Sequence, residues 1–223
     1  MTFFSTETFS FLGDLKKNNS KSWFDSSRDR YEAHWKAPAL NFVEALAPRM
    51  EALDPPLKAQ AKINGSLRRI NRDVRFSKDK SPYNATLHLF FWSGDHPNRS
   101  PAAHFSLYEQ GVGYGTGLYG LQPAALKRLR DAIVDPVEQK TLFASLDTLE
   151  ANGCTLGEPD LARLPKGYEA AGRAADLLRR KSLVARTHEG GGARADIMGE
   201  AGLDWAMART EAMLPLIRWL SII

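Results

Sequence analysis

The segment RRINRDVRFSKDKSPYNATLHLFFW, residues Arg68 to Trp92, gives the clearest indication of the fold. Polar and apolar side chains alternate over Arg68–Phe76, and Ala85–Trp92 is rich in aromatic residues, as β-strands commonly are. The segment between them, SKDKSPY, holds the serine, aspartate and proline that favour a turn. The stretch therefore predicts two antiparallel strands.

Two further strands follow along the chain. Ala103–Glu109 and Val112–Tyr119 have a similar composition, and Gln110 and Gly111 suit a tight hairpin between them. Four short strands joined by loops, without intervening helices, favour an antiparallel sheet over a parallel one. We expect this sheet to form within residues 60–120.

Helical patterns occupy both ends of the chain. In the first third, apolar residues recur at helical spacing, and Pro38 marks either the end of a second helix or the first turn of a third. After the sheet, Pro123 suits a first helical turn and Pro136–Ala151 suits a further helix. We expect residues 1–56 to be helical and residues 121–223 to be mainly helical.

Length and composition fit one domain. The chain has 223 residues, of which 43% are hydrophobic, enough to build an ordinary packed core. We predict a single α+β domain over residues 1–223. Its antiparallel sheet of about four or more strands is flanked by N-terminal and C-terminal helices.

The positive charge of the chain is local. The formal net charge is +4, from 30 basic and 26 acidic side chains, and Arg68–Lys80 alone holds six basic and two acidic residues, which is also +4. The rest of the chain is therefore balanced. A protein that coats nucleic acid usually carries a wider basic surface, so we do not expect a nucleic-acid partner.

Several features that the sequence lacks make some classes of protein improbable. The N-terminus has no basic segment typical of a secretory signal, and the longest apolar run, LHLFFW, is too short to span a bilayer. The single cysteine, Cys154, forms no internal disulfide, and the five histidines show no recognised metal spacing. We predict a cytoplasmic protein without a metal or cofactor and with no membrane contact; protein partners stay unassigned.

Side chains of a strand alternate between its two faces. In Arg68–Phe76 this alternation sends one set of residues, Ile70, Arg72, Val74 and Phe76, toward the core. The opposite, charged face of the sheet then collects the following residues from three strands: Arg69, Asn71, Asp73, Arg75, Thr86, His88, His104, Ser106 and Tyr108.

Such a face suits a small anion, because guanidinium groups bind carboxylates and phosphates and imidazoles titrate near neutral pH. We predict a pocket for a small anionic ligand, phosphorylated or carboxylated, lined by Arg69, Arg75, Lys80, His88, His104 and Tyr108. The ligand-binding candidates are Arg69, Arg75, Lys80 and Tyr83. If the protein is an enzyme, the candidates for proton transfer are His88, His104, Asp73 and Tyr108.

Arg72 has a different predicted role. It shares a face with apolar residues, and a buried guanidinium needs a carboxylate partner. The candidate partners are Asp25, Asp29, Glu32 and Glu109. This would make Arg72 a structural clamp between a helix and the sheet.

Two alternative functions stay open. The arginines and aspartates can pair with one another, in which case the motif is an ion-pair clamp in a non-enzymatic protein-interaction module. A third possibility is a nucleic-acid binder that uses the KDK and LLRRK segments for phosphate contacts. A concave arginine cluster favours the anion pocket, whereas an apolar surface patch favours the interaction module.

The segment GTGLYG, Gly115 to Gly120, matches the G-x-G-x-x-G dinucleotide fingerprint in letters only. The βαβ context of a nucleotide site is missing, so we expect no dinucleotide to bind. The glycines at 111, 113, 115 and 117 fall on one face of a strand, which favours close approach of a backbone or a ligand.

The central motif resembles a bacterial family called domain of unknown function 2461. The family signature is R-x-x-R-D-x-R-F followed by D-K-x-P-Y, and the matching residues are Arg69, Arg72, Asp73, Arg75, Phe76, Asp79, Lys80, Pro82 and Tyr83. The similarity extends to GxGLY, PKGY and LLRRKS and covers most of the chain; Asn84 departs from it where similar proteins often carry lysine. The resemblance implies a compact cytoplasmic domain and no particular reaction.

Overall fold

The computed structural model describes residues 3–187 and 190–223; Met1, Thr2, His188 and Glu189 lie outside the described residues. The N-terminal block is helical, as predicted. Its helices are α1 (Thr6–Lys17), α2 (Lys21–Ser26), α3 (Arg28–Tyr31) and α4 (Ala37–Glu51), with a π-helical turn (Glu32–Lys36) that joins α3 to α4. Pro38 lies in the first turn of α4, where its missing N–H costs no hydrogen bond.

One antiparallel sheet follows. Within the described residues it has five strands in the order β1-β2-β3-β5-β4. They are β1 (Leu87–Trp92), β2 (Ala102–Tyr108), β3 (Gly111–Leu118), β4 (Thr155–Leu156) and β5 (Leu183–Arg186). The predicted α+β class, antiparallel sheet and helical flanks are confirmed.

The C-terminal half is mainly helical. Its helices are α5 (Pro123–Val134), α6 (Pro136–Ala151), α7 (Gly172–Leu178) and α8 (Ala201–Ile222), with a short 3-10 helix at Arg194–Ile197. The Asp135 side chain caps α6 by accepting the backbone N–H groups of Val137 and Glu138 at 2.9 and 3.0 Å. No helix among the described residues is both long and apolar enough to cross a membrane.

The helices cover one face of the sheet. Helix α8 packs on β2 and β3, α1 packs on β2, and α4 packs on β1. Leu87, Leu89 and Phe91 of β1 alternate into this core with Phe105 and Leu107 of β2, all five at 0% exposure. The side chains between them in sequence therefore face away from the helices.

The segment 68–76 is not a regular strand, which corrects the sequence-based expectation. The chain bridges the free edge of β1 only just before this segment, where Leu67 lies opposite Leu89, and within the segment Asn71 forms a single bridge with Tyr83, ahead of β1. Further on, the Asp73 carboxylate accepts the backbone N–H of Arg75 at 3.2 Å. Local side-chain bonds of this kind compete with ladder formation, so the chain bends away from the sheet.

The bend also overturns the predicted burial of Phe76. Ile70 is buried as expected, but Phe76 lies beyond the bend with 95% of its surface exposed. The alternation of faces therefore holds for the first residues of the motif and fails where the backbone leaves the sheet edge.

Two short strands were missed within the mainly helical region. Strands β4 and β5 contain two and four residues, too few for a periodic pattern to stand out from loop sequence. Strand β5 pairs with β3, so that Arg186 lies opposite Gly115. This pairing brings a cation to the open side of the sheet.

Candidate functional site

The side of the sheet away from the helices, which we call the open face, carries the candidate site. Its residues His88 and Phe90 come from β1, and His104 and Ser106 come from β2. The register pairs His88 with Ser106 and Phe90 with His104. All four are partly buried, unlike the fully buried residues that alternate with them.

Glycines of β3 form the floor of the open face. Gly113 lies opposite Ser106, Gly115 opposite His104, and Gly117 opposite Ala102. A Cβ atom at Gly115 would lie 2.5 Å from the Ala185 carbonyl oxygen. Side chains are therefore excluded here because the β5 backbone approaches closely, and the floor is bare backbone.

Two cavities adjoin on the open face, and both are lined by His104 and Arg186. The first, here called the apolar lobe, has a volume of about 460 Å³ and includes Phe90, Pro97, Ala102, Leu118, Tyr119 and Val184. The second, the polar lobe, has a volume of about 800 Å³ and includes Thr86, His88, Ser106, Tyr108, Gln110 and Thr187.

A pair of histidines lies at the junction of the lobes. Nδ1 of His88 and Nε2 of His104 are 3.0 Å apart, so one ring donates a hydrogen bond to the other. Burial and then the charge of Arg68 lower the pKa of His88 to about 4. Burial, followed by the charges of His88, Arg68 and Arg186, lowers the pKa of His104 to about 3. Both imidazoles are therefore neutral at pH 7.

Two arginines act on this pair. The Arg68 guanidinium lies 4.3 Å from the centre of the Phe90 ring and donates to Oδ1 of Asn98 at 2.5 Å. Burial lowers the pKa of Arg68. Arg186, at the exposed end of β5, has no polar partner in the part of the chain that the structure describes, and neither arginine pairs with a carboxylate there. The junction thus combines two neutral imidazoles with two cations that no carboxylate of the described residues neutralises.

The structure brings only some of the predicted site residues to these lobes. His88, His104 and Tyr108 line them, and the Tyr108 hydroxyl accepts the backbone N–H of Gly190 at 2.9 Å. Arg69 is exposed and lines neither lobe.

The predicted convergence of Arg75 and Lys80 on an anion is not seen. Nε and Nη2 of Arg75 donate to the Asp73 carboxylate at 2.9 and 2.7 Å. The Lys80 ammonium donates to the Val74 carbonyl at 3.0 Å. The bend at Asp73 turns these two side chains onto neighbouring groups of the loop, and Arg75, Lys80 and Asp73 line neither lobe.

Tyr83 is likewise placed in the core and not in a ligand site. It is 7% exposed, and its ring stacks on Phe24 with centroids 4.2 Å apart. Its backbone is fixed by the Asn19 side chain, which donates to the Tyr83 carbonyl and accepts the Tyr83 N–H. The predicted ligand-binding role of Tyr83 has no support in this position.

Arg72 pairs within its own loop, not with a helix. Its Nη1 donates to Oδ2 of Asp79 at 2.5 Å and to the Ser81 carbonyl at 2.9 Å. The four carboxylates predicted as partners, on the N-terminal helices and at Glu109, are not the ones used. The side chain of Arg72 is 24% exposed and that of Asp79 is 61% exposed, so the pair is only partly shielded from water.

We expect Arg72→Ala to lower the free energy of unfolding by about 1–2 kcal/mol, the range of a single hydrogen bond to a charged group that is partly exposed to water. This is less than the value of about 3 kcal/mol expected for a fully buried ion pair. Urea titration measures it. Arg75→Ala is the matched control and should leave the midpoint unchanged, because both members of the Arg75–Asp73 pair are well exposed.

Arg68 and Arg186 are the site residues that sequence analysis missed. Arg68 was placed on neither face of the strand by sequence analysis, and in the structure its guanidinium lies over the Phe90 ring. Its backbone N–H donates to the His88 carbonyl at 3.0 Å, which ties it to β1. No sequence pattern indicated that Arg186 belongs to the sheet, because its segment LVAR is too short to be recognised as a strand.

No group of three or more His, Cys, Asp or Glu side chains suited to a metal occurs among residues 3–187 and 190–223. The G-x-G-x-x-G segment runs along β3 of an antiparallel sheet and does not connect a strand to a helix in a βαβ unit. The lobes therefore offer neither a metal cluster nor a nucleotide-binding turn in the described chain.

A comparison with protein-family models places most of the chain in a family. The family model described as conserved hypothetical protein DUF2461 matches residues 7–219. No curated protein and no solved structure matches the chain. The matched range contains all the strands and both lobes described above.

Proposed function

The chain belongs to the DUF2461 family of conserved hypothetical proteins, a description that names no reaction, and we propose from its site that it binds a small anionic ligand, phosphorylated or carboxylated, between Arg68 and Arg186. The observation that carries this proposal is that both arginines line the same cavity without a carboxylate partner among the described residues. Arg68 is partly buried, so leaving it without a counter-charge is unfavourable and a bound anion removes that cost, while the exposed Arg186 supplies a second donor to the same anion.

The histidine pair supports a proton-transfer role at the same point. Both imidazoles are neutral because of burial and nearby positive charge. An anion that neutralises this charge favours the protonated form, so ligand binding raises the pKa of one histidine. That histidine then exchanges a proton with the ligand if the ligand is turned over. Asp73 is engaged by Arg75 and is not part of this step.

Titration with inorganic phosphate at constant ionic strength tests the anion site. We expect phosphate to raise the melting temperature of the wild type, because a ligand that binds only the folded state stabilises it by mass action. Arg186→Gln should weaken phosphate binding at least tenfold in calorimetry. Since Arg186 is exposed and has no polar partner within the described chain, this change should leave the fold intact.

Arg75→Gln is the matched control, because it removes a guanidinium of the central motif that lines neither lobe. It should respond to phosphate like the wild type. Phosphate also strengthens apolar burial without binding, and that effect is equal in all variants. Equal responses of the wild type and Arg186→Gln across the series would rule out the anion site.

A second candidate function is a protein-interaction module, favoured by the exposure of Phe76. Its ring is 95% exposed, next to Arg75, at the tip of the basic loop. In this function the Arg72–Asp79 and Arg75–Asp73 pairs fix the loop that presents Phe76. The phosphate titration separates the two, because an interaction module predicts no response that depends on Arg186.

We propose a cytoplasmic location. The single cysteine, Cys154, is a free buried thiol, and burial raises its pKa to about 11. A protein with no disulfide fits a reducing compartment.

A further inference from the structure

The two lobes that meet at the proposed anion site differ in chemistry. Thr86, Ser106 and Thr187 give the polar lobe its hydroxyl groups. On the other side of His104 and Arg186, the apolar lobe is walled by Phe90, Leu118 and Val184. A ligand whose anion lies at the junction therefore extends in one direction toward hydroxyls and in the other toward apolar side chains.

Three uncharged polar side chains of the apolar lobe, those of Asn98, Ser100 and Thr116, are already hydrogen bonded within the protein. The Asn98 amide oxygen accepts from Arg68, and Ser100 accepts the backbone N–H of His96 at 3.3 Å. Thr116 donates to the carbonyl of Ala102 at 2.9 Å. A ligand group with hydroxyls would lose water there and gain few partners, so the lobe favours an apolar group.

The floor of this lobe is formed by backbone. Gly115 and Gly117 contribute backbone only, and their neighbours on β5 leave no room for a side chain. The Phe90 ring stands at one wall and already holds the Arg68 guanidinium against its face. Tyr119, 81% exposed at the rim, is available to cover a bound group. A bare backbone floor beside aromatic rings suits a planar group better than a branched one.

We propose that the ligand is an aromatic anion, a planar ring that carries a carboxylate or a phosphate. The anionic group lies at Arg68, Arg186 and His104, and the ring lies on Gly115 and Gly117 in the apolar lobe. The volume of about 460 Å³ falls in the range of small-molecule pockets. This inference rests on the proposed anion site and specifies what else the ligand contains.

Calorimetry with paired probes tests whether the site binds an aromatic ring. The affinity for inorganic phosphate is compared with that for phenyl phosphate, and the affinity for acetate with that for benzoate, at matched ionic strength. We expect each aromatic probe to bind at least tenfold more tightly than its partner without a ring. Val184→Phe fills the apolar lobe from a half-buried strand position, where an aromatic residue is well tolerated. This variant should leave the affinity for inorganic phosphate unchanged and abolish the additional affinity of the aromatic probes.

Tyr119→Ser is a second variant with little risk to folding, because the side chain is exposed. It should reduce the gain from the ring and not the affinity for phosphate. If phosphate binds and the ring adds nothing, the aromatic ligand is wrong while the anion site stands. If the gain survives both variants, the ring lies elsewhere and the inference also fails. If none of the four probes binds, the anion site itself is wrong.

Discussion

Replacing Gly117 with valine is expected to lower the free energy of unfolding by about 3 kcal/mol or more, through backbone strain and steric overlap. Gly117 has φ of +142°, a conformation that L-residues rarely adopt. A Cβ atom at this position would overlap the Leu183 carbonyl oxygen and lie 2.7 Å from the Cα of Val184. Backbone atoms cannot move aside as a flexible side chain does, so β5 must separate from β3.

The separation of β5 has a functional consequence. Gly117 pairs with Val184 and Gly115 pairs with Arg186, so the strand that carries Arg186 is held through these contacts. Gly117→Val should therefore also reduce the phosphate response at temperatures where the protein is still folded.

Gly120→Ala is the matched control for the steric part of this effect. Gly120 also has positive φ, +63°, but a Cβ atom there would meet nothing within 4 Å. It should cost only the backbone penalty, on the order of 1 kcal/mol. Urea denaturation of Gly117→Val and Gly120→Ala measures the loss in free energy of unfolding for each variant. Equal losses would show that the close approach of β5 contributes nothing beyond the backbone conformation.

The second large effect concerns pH. The folded protein is expected to lose stability as the pH falls from 7 to 4, because His88 and His104 have lowered pKa values of about 4 and about 3. The unfolded chain binds protons at these histidines near pH 6.5, while the folded chain does not, so acid favours unfolding. The free energy of unfolding is therefore unaffected by these histidines above pH 6.5, and it decreases as the pH falls from 6.5 toward their folded pKa values of about 4 and about 3.

We expect the two histidines to lower the free energy of unfolding by an amount on the order of 2–4 kcal/mol at pH 4 relative to pH 7, after allowance for their partial exposure. Thermal melts of the wild type and of a His88→Gln, His104→Gln double variant across pH 4–7 measure it. The variant should show a smaller loss. The pKa of Asp79 is lowered to about 2, mainly by hydrogen bonds from Ser81, so its effect falls at lower pH. Parallel profiles for the two proteins would contradict the expectation.

Local sequence patterns predict much of the fold. Pro136–Ala151 was predicted as a helix and is observed with the same bounds, because a proline in the first turn and an aspartate cap mark its start. The alternation in β1 and β2 likewise indicated that His88 and His104 share a face. The two-residue period of a strand depends only on the chain itself.

Which cations face these histidines depends on the packing of distant segments and could not be predicted from local sequence. Arg75 and Lys80 belong to the conspicuous motif, but the bend at Asp73 turns them onto neighbours within the loop. Arg186 comes from a strand of four residues whose formation depends on pairing with β3. Local patterns determine the elements and their faces. The partners of a long charged side chain depend on where distant segments pack, and here that depends on the bare glycine floor that admits β5.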